Sequence, residues 1–140
     1  MEVDMIKIIY GAKGTGKTKQ IIDMANDSVA SQDGDIVFMT DSPRYSHKIK
    51  YQIRFSSTEE ADIKTEQALI GFIKGMLSAN YDIKIMFIDG PARMLNIEID
   101  QMADFYSEIE KITDKNNVEF VFTVSANKDD LPDFILKYID

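Results

Sequence analysis

Eight residues near the start of the chain, Gly11-Ala12-Lys13-Gly14-Thr15-Gly16-Lys17-Thr18, have the types and spacing needed for one kind of chemistry, the holding of a polyphosphate. They fit G-x-x-x-x-G-K-[ST] without a mismatch. Glycines let the backbone curl so that successive N–H groups point inward, and a following helix adds its positive N-terminal end. In such a loop Lys17 reaches the β- and γ-phosphates, and the Thr18 hydroxyl ligates Mg²⁺. A second chemical position is Asp89, the carboxylate that ends the apolar run Ile83-Lys84-Ile85-Met86-Phe87-Ile88. A buried strand aimed at the loop delivers Asp89 beside the metal, where it holds a metal-bound water and orients Thr18. Lys17 and Asp89 are the candidate catalytic residues, and Thr18 and Asp89 the candidate metal ligands.

Such a loop needs a strand before it and a helix after it. Met5 to Tyr10 is a short β-branched run suited to a buried strand, and from Lys17 onward Ile21, Met24, Ala25 and Val29 recur at helical spacing. Ser31 to Gly34 reads as a turn and Ile36 to Met39 as a second buried strand. In the segment Arg44 to Arg54, Ile49, Tyr51, Ile53 and Phe55 alternate with Lys48, Lys50, Gln52 and Arg54, the period of a half-buried strand with a basic outer face. Ser57 and Glu60 have capping-box spacing for a helix start. A clearer helix covers roughly Thr65 to Ala79, with Leu69, Phe72, Ile73, Met76 and Leu77 as its stripe. Gly71 and Gly75 on it are expected to permit close packing against the sheet. A helix near Glu98 to Ile112 is expected to bury Met102, Phe105, Ile109 and Ile112. The run Val118 to Val124 is apolar at nearly every position, so it belongs inside a parallel sheet rather than at its edge. Asp130-Leu131-Pro132 opens a short final helix carrying Phe134, Ile135, Tyr138 and Ile139.

Strand and helix alternate along the whole chain, which predicts an α/β sandwich of three layers around a mainly parallel sheet. At 140 residues and 44% hydrophobic content the chain has the size of one domain, 1–140. With no cysteine and a single histidine, thiolate and histidine-rich metal centres are excluded, leaving oxygen-held Mg²⁺. The acidic Met1-Glu2-Val3-Asp4 shows no signal peptide, and no apolar run approaches membrane-spanning length; a soluble, cytoplasmic protein is expected. The net charge of −8 disfavours broad attraction to nucleic acid or anionic lipid.

On the residues Gly11 to Thr18, supported by Ile85 to Asp89, the chain resembles the P-loop NTPase superfamily. A late strand lying between the loop strand and the Asp89 strand looks like the RecA-like and AAA-like branch. That resemblance implies ATP and Mg²⁺ as cofactors and a γ-phosphate-sensing role at Thr123, Ser125 or Asn127. It also exposes a departure: hydrolytic members commonly place a glutamate directly after the strand aspartate to polarise the attacking water, and here that position is Gly90. Glu66 and Glu98 are the remaining candidates for a base, although each also fits a solvated helix-start carboxylate.

The expected function is therefore an ATP-binding protein that acts as a slow or partner-stimulated NTPase or as a nucleotide-dependent switch. Arg44, Arg54 and Arg93 are candidate arginine fingers, in cis or from a protein partner or second copy. One alternative is a small-molecule or nucleoside kinase with its acceptor near Asp41, Arg44 and Tyr45; the cysteine-ligated lobe and arginine-rich lid of such enzymes are missing. Another is a nucleic-acid or protein adaptor using the basic strand 48–54, with Tyr45 and Tyr51 available for stacking or packing. Lysines and arginines on an exposed edge strand serve equally to prevent edge-to-edge pairing. Asn127-Lys128-Asp129-Asp130 fits a guanine-reading N-K-x-D string, but no Asp-x-x-Gly follows the Asp89 strand.

Overall fold

Five runs become strands, and the connections between them, α-helical except for a 3₁₀ turn between the second and third, carry the chain back so that each strand enters in the same direction. The computed structural model describes residues 5–139; the acidic Met1–Asp4 lie outside the described residues. The strands are β1 (Ile6–Gly11), β2 (Asp35–Thr40), β3 (Ile53–Ser57), β4 (Ile83–Ile88) and β5 (Glu119–Ser125). All pair in parallel, in the order β1-β5-β4-β2-β3. The last strand thus sits between the loop strand and the Asp89 strand, as its two-sided hydrophobicity predicts.

Side chains alternate between two layers. Ile36 and Phe38, Ile85 and Phe87, with Ile9 and Val121, face α1 (Lys17–Ser28), which contributes Ile21, Ile22 and Ala25. Val37, Met39, Met86, Ile88, Phe120 and Phe122 face the other side, where α2 (Glu66–Ala79) and α4 (Ala103–Asn116) cover them. The result is the three-layer α/β/α sandwich of a P-loop NTPase-like fold. Phe105, Tyr106 and Phe122 meet edge to face, with centroids 5.1–5.9 Å apart, beneath the C-terminal ends of the strands. Among the described residues no helix is long and apolar enough to cross a membrane.

Four local expectations are corrected. The basic strand does not form over 48–55: Pro43–Lys48 is a 3₁₀ turn, the strand begins only at Ile53, and Tyr51 is 93% exposed. Pro43 supplies the φ that starts a turn, and the Ser42 side chain accepts from the Arg44 amide. Asn26 of α1 then pins the exit, accepting from the Lys50 amide at 3.0 Å and donating to the Lys48 carbonyl at 2.8 Å. Ser57 accepts from the Glu60 amide at 3.2 Å, but the next residues form turns rather than a helix.

Gly71 and Gly75 face solvent, and a Cβ on either would meet nothing within 4 Å, so they permit no close packing. The stripe that α2 fully buries is Leu69, Ile70, Ile73 and Leu77. Finally, the helix expected near Glu98 is divided. Pro91, at the first helical position, opens α3 (Pro91–Leu95), and Asn96 in the left-handed region ends it. Glu98 and Gln101 form a capping box around a 3₁₀ turn, and α4 starts at Ala103; Met102, Phe105, Ile109 and Ile112 are all buried. A last short helix, α5 (Asp133–Leu136), packs beside α4.

Candidate functional site

Because every strand runs the same way, Gly11, Thr40, Ser57, Asp89 and Ser125 all finish at one edge of the sheet, where ligands of open α/β sheets are held. The turn from β1 into α1 is built by three glycines with distinct tasks. A Cβ on Gly11 would lie 2.7 Å from the Thr15 hydroxyl, while Gly14 and Gly16 adopt φ of 84° and 87°. The Thr15 hydroxyl donates to the Ala12 carbonyl at 2.7 Å and the Lys17 ammonium to the same oxygen at 2.9 Å. Lys17 is 8% exposed; burial lowers its pKa, with Asp89 opposing the shift and Arg93 adding to it. Gly16 caps α1 without a side-chain bond and the first turn holds no acid, so the N–H groups there are free to meet an anion.

Asp89 is the centre of the site. The ladder between β4 and β2 runs one residue past the strand, from the Asp89 amide to the Met39 carbonyl at 2.8 Å, and this fixes the direction of the side chain. Its carboxylate is 1% exposed and accepts from Thr18 at 3.2 Å, Thr40 at 3.3 Å and Thr123 at 2.8 Å. Arg93 completes the set at 3.2 Å, donates to the Asp89 carbonyl at 3.1 Å, and reaches Asp41 through Nε at 3.0 Å. Burial alone would raise the Asp41 carboxyl, but the hydrogen bond and charge of Arg93 outweigh it and hold the pKa below the ordinary value. Burial likewise opposes the Arg93 charge, and the two carboxylates more than restore it.

The position after Asp89 has a physical reason to be glycine. Gly90 takes φ 74°, and a Cβ there would lie 2.7 Å from the Arg93 guanidinium. Arg93 occupies the space that a side chain at 90 would need. The donor set fits a cation that keeps most of its shell as water and phosphate. Thr18 and Asp89 bring two oxygen ligands together, and no cluster of three or more acidic, histidine or cysteine side chains exists among the described residues.

Other candidates are distributed elsewhere. Arg54 pairs with Asp35 at 3.2 Å at the start of β2, and Arg44 lies over the Tyr45 ring at 4.8 Å, so of the three arginines only Arg93 touches Asp89. The basic patch is broken up by the same contacts, with Lys48 also over Tyr45 at 5.6 Å. Glu66 faces Asp104 and the amide of Phe105 at the start of α4; burial first, and Asp104 second, raise its pKa. Glu98 lies on the wall of a cavity that also includes Lys13, Gly90 and Arg93. Thr123 is drawn into the Asp89 cluster, whereas Ser125 and Asn127 are exposed and Lys128–Asp130 is a 3₁₀ turn. Asp41 is engaged by Arg93, and Tyr45 packs against the α1 layer. Thr40 was not singled out by spacing; the only signal for it is a hydroxyl at the end of a second buried strand.

No family model matches the chain, and no curated protein does either. Solved structures do share its fold. The structure of C. elegans PCH-2 superposes with a TM-score of 0.62 at 18% identity, over 100% of this chain and 34% of that one. This chain therefore spans about a third of the length of that neighbour, and the likeness is one of fold.

Proposed function

We propose that the chain binds a nucleoside triphosphate, ATP, with Mg²⁺ on the loop Gly11–Thr18 and acts as a nucleotide-dependent switch with slow or partner-stimulated hydrolysis. The observation that carries this reading is the convergence of Thr18, Thr40, Thr123 and Arg93 on the buried Asp89 carboxylate, directly beside the glycine loop. Thr18 and Asp89 would hold the metal, which neutralises charge on the β- and γ-phosphates when bound. Lys17 would exchange the Ala12 carbonyl for phosphate oxygens. Arg93, which now donates to Asp89 and to Asp41, would keep its Asp41 contact or turn to the transferring phosphoryl group, where a delocalised cation favours transfer.

The residues that would read this exchange follow from the hydrogen bonds around Asp41. Its carbonyl accepts from the Glu59 amide at 3.0 Å and the Thr40 carbonyl from the Thr58 amide at 2.9 Å, tying the loop after β3 to the Arg93 latch. Gly90 supplies no group to polarise water, in keeping with slow turnover by the isolated chain. Phosphate release in the presence of ATP and Mg²⁺ tests the reading. The expected outcome is a low rate that falls further in Asp89→Ala; vigorous release unchanged by Asp89→Ala would overturn it.

A further inference from the structure

At the edge of the sheet opposite the glycine loop, where β4 and β5 begin, the last turns of α2 and α4 leave a groove of about 470 Å³ between them. Lys74, Leu77 and Ser78 line it from α2, at intervals of three and four that set them on one helix face. Glu108, Lys111, Ile112 and Lys115 line it from α4 at the same intervals. Leu77 and Ile112 are buried and join the core beneath, so they form the floor. Tyr81, just past the end of α2, stands at the rim with 86% of its surface exposed. A second cavity, of about 220 Å³, shares Tyr81 and Lys115 with the first and continues toward the start of β4.

The charge here runs against that of the molecule. The chain has 24 acidic side chains to 16 lysines and arginines, yet three of the four charged groups on this groove are lysines. Lys74 and Lys115 are exposed and take part in no ion pair among the described residues, and Glu108 reaches only Lys111, at 3.9 Å. A cation in the last turn of a helix offsets the helix dipole, which accounts for Lys115. Lys74 and Lys111 lie further back along their helices and gain little from that effect. The Tyr81 ring, for its part, makes no aromatic or cation contact among the described residues.

We propose that this groove is the docking site for an acidic segment of a partner protein, a short stretch with carboxylates on both sides of one aliphatic side chain. The aliphatic side chain settles over Leu77 and Ile112 against the Tyr81 ring. The carboxylates meet Lys74 on one wall and Lys111 and Lys115 on the other. Charge selects this occupant: a surface of opposite sign is drawn in and held in register, whereas a second copy of a chain with net charge −8 is repelled. The volume is that of a ligand-sized cleft, and the adjoining cavity lets an extended chain continue past Tyr81. Neither cavity includes a residue of the glycine loop, Asp89 or Arg93, so the inference goes beyond the nucleotide reading and does not depend on it.

The test is a titration of the nucleotide-free full chain with a short end-blocked peptide, a leucine flanked on each side by two glutamates, followed by methyl NMR at Leu77 and Ile112. Saturable shifts at these methyls are expected with a Kd on the order of 1 mM, weakening as salt is raised. An all-glutamate peptide of the same length is expected to bind at least about threefold more weakly, having nothing to place on the floor. The triple variant Lys74→Gln, Lys111→Gln, Lys115→Gln should keep the wild-type thermal midpoint, since all three side chains are exposed, and lose about tenfold in affinity with three ion pairs. Tyr81→Ala should weaken the leucine peptide and leave the all-glutamate peptide unaffected. Three results overturn the proposal: no saturable shifts with the leucine peptide; equal affinity for the all-glutamate peptide, which marks a site for anions alone; or unchanged affinity in the lysine variant. Since no nucleotide is present, each of these leaves the ATP reading where it stands.

Discussion

Asp89 is held by three threonine hydroxyls and one guanidinium, which come from α1, β2, β5 and α3. A carboxylate this deeply buried depends on its donors, and Arg93 is the only cation among them. Replacing Arg93 by alanine is therefore expected to destabilise the nucleotide-free protein by about 1.5–3 kcal/mol, the worth of a hydrogen bond to a charged group. The same reasoning gives a sharper expectation, because a bound Mg²⁺ supplies the missing positive charge: the gap in thermal midpoint between wild type and Arg93→Ala should narrow when ATP and Mg²⁺ are added. A gap of constant size would place Arg93 outside the nucleotide response. Gly90 yields a second residue-scale prediction. Gly90→Glu places a carboxylate directly after Asp89, yet it forces a left-handed φ on a side chain and drives into the Arg93 guanidinium. It should lose about 1–2 kcal/mol of stability from the backbone alone, without faster phosphate release. A marked acceleration would show that Arg93 yields its place readily.

At the scale of elements, α2 offers a test free of the site. Gly71 and Gly75 sit in mid-helix on the solvent face, with open space where a Cβ would go. Alanine at both positions should stabilise the protein by about 1–2 kcal/mol in chemical denaturation, since each removes the backbone-entropy cost of a helical glycine. Loss of stability would mean that this face is covered by something. The same helix shows what could be read from the chain alone. Its extent was legible because its apolar stripe is a local signal, and the structure adds a Thr65 cap that accepts from the Ala68 amide at 3.1 Å. The place of β5 inside the sheet was legible because both its faces are apolar. Residues 48–55 were misread because alternation between Ile49 and Phe55 looks like a strand, whereas Asn26, some twenty residues earlier, decides the turn. In the site, the loop and Asp89 stood out by spacing. The arrival of Thr40, and the bridging of Asp41 and Asp89 by Arg93, depend on β2 lying next to β4, which no local pattern encodes.

For the molecule as a whole, the parallel sheet collects the ends of five strands at one edge, and the chemistry collects there with them. The net charge of −8 is no obstacle to holding a triphosphate, because the screening length at physiological salt is about 8 Å and the loop's own lysines and amides lie well within it. Away from this edge, Arg54 of the expected basic patch pairs with Asp35, and Arg44 and Lys48 lie over the Tyr45 ring. The proposed switch requires capture of ATP and Mg²⁺ by a loop in which Lys17 is already buried beside Asp89. Isothermal titration of the wild-type chain and of Lys17→Ala with ATP in the presence of Mg²⁺ tests it most directly. Saturable binding by the wild type with at least about a tenfold loss in Lys17→Ala is predicted, as removal of a charge-assisted contact to phosphate requires. Equal affinity in the two proteins, or no binding by either, would contradict it.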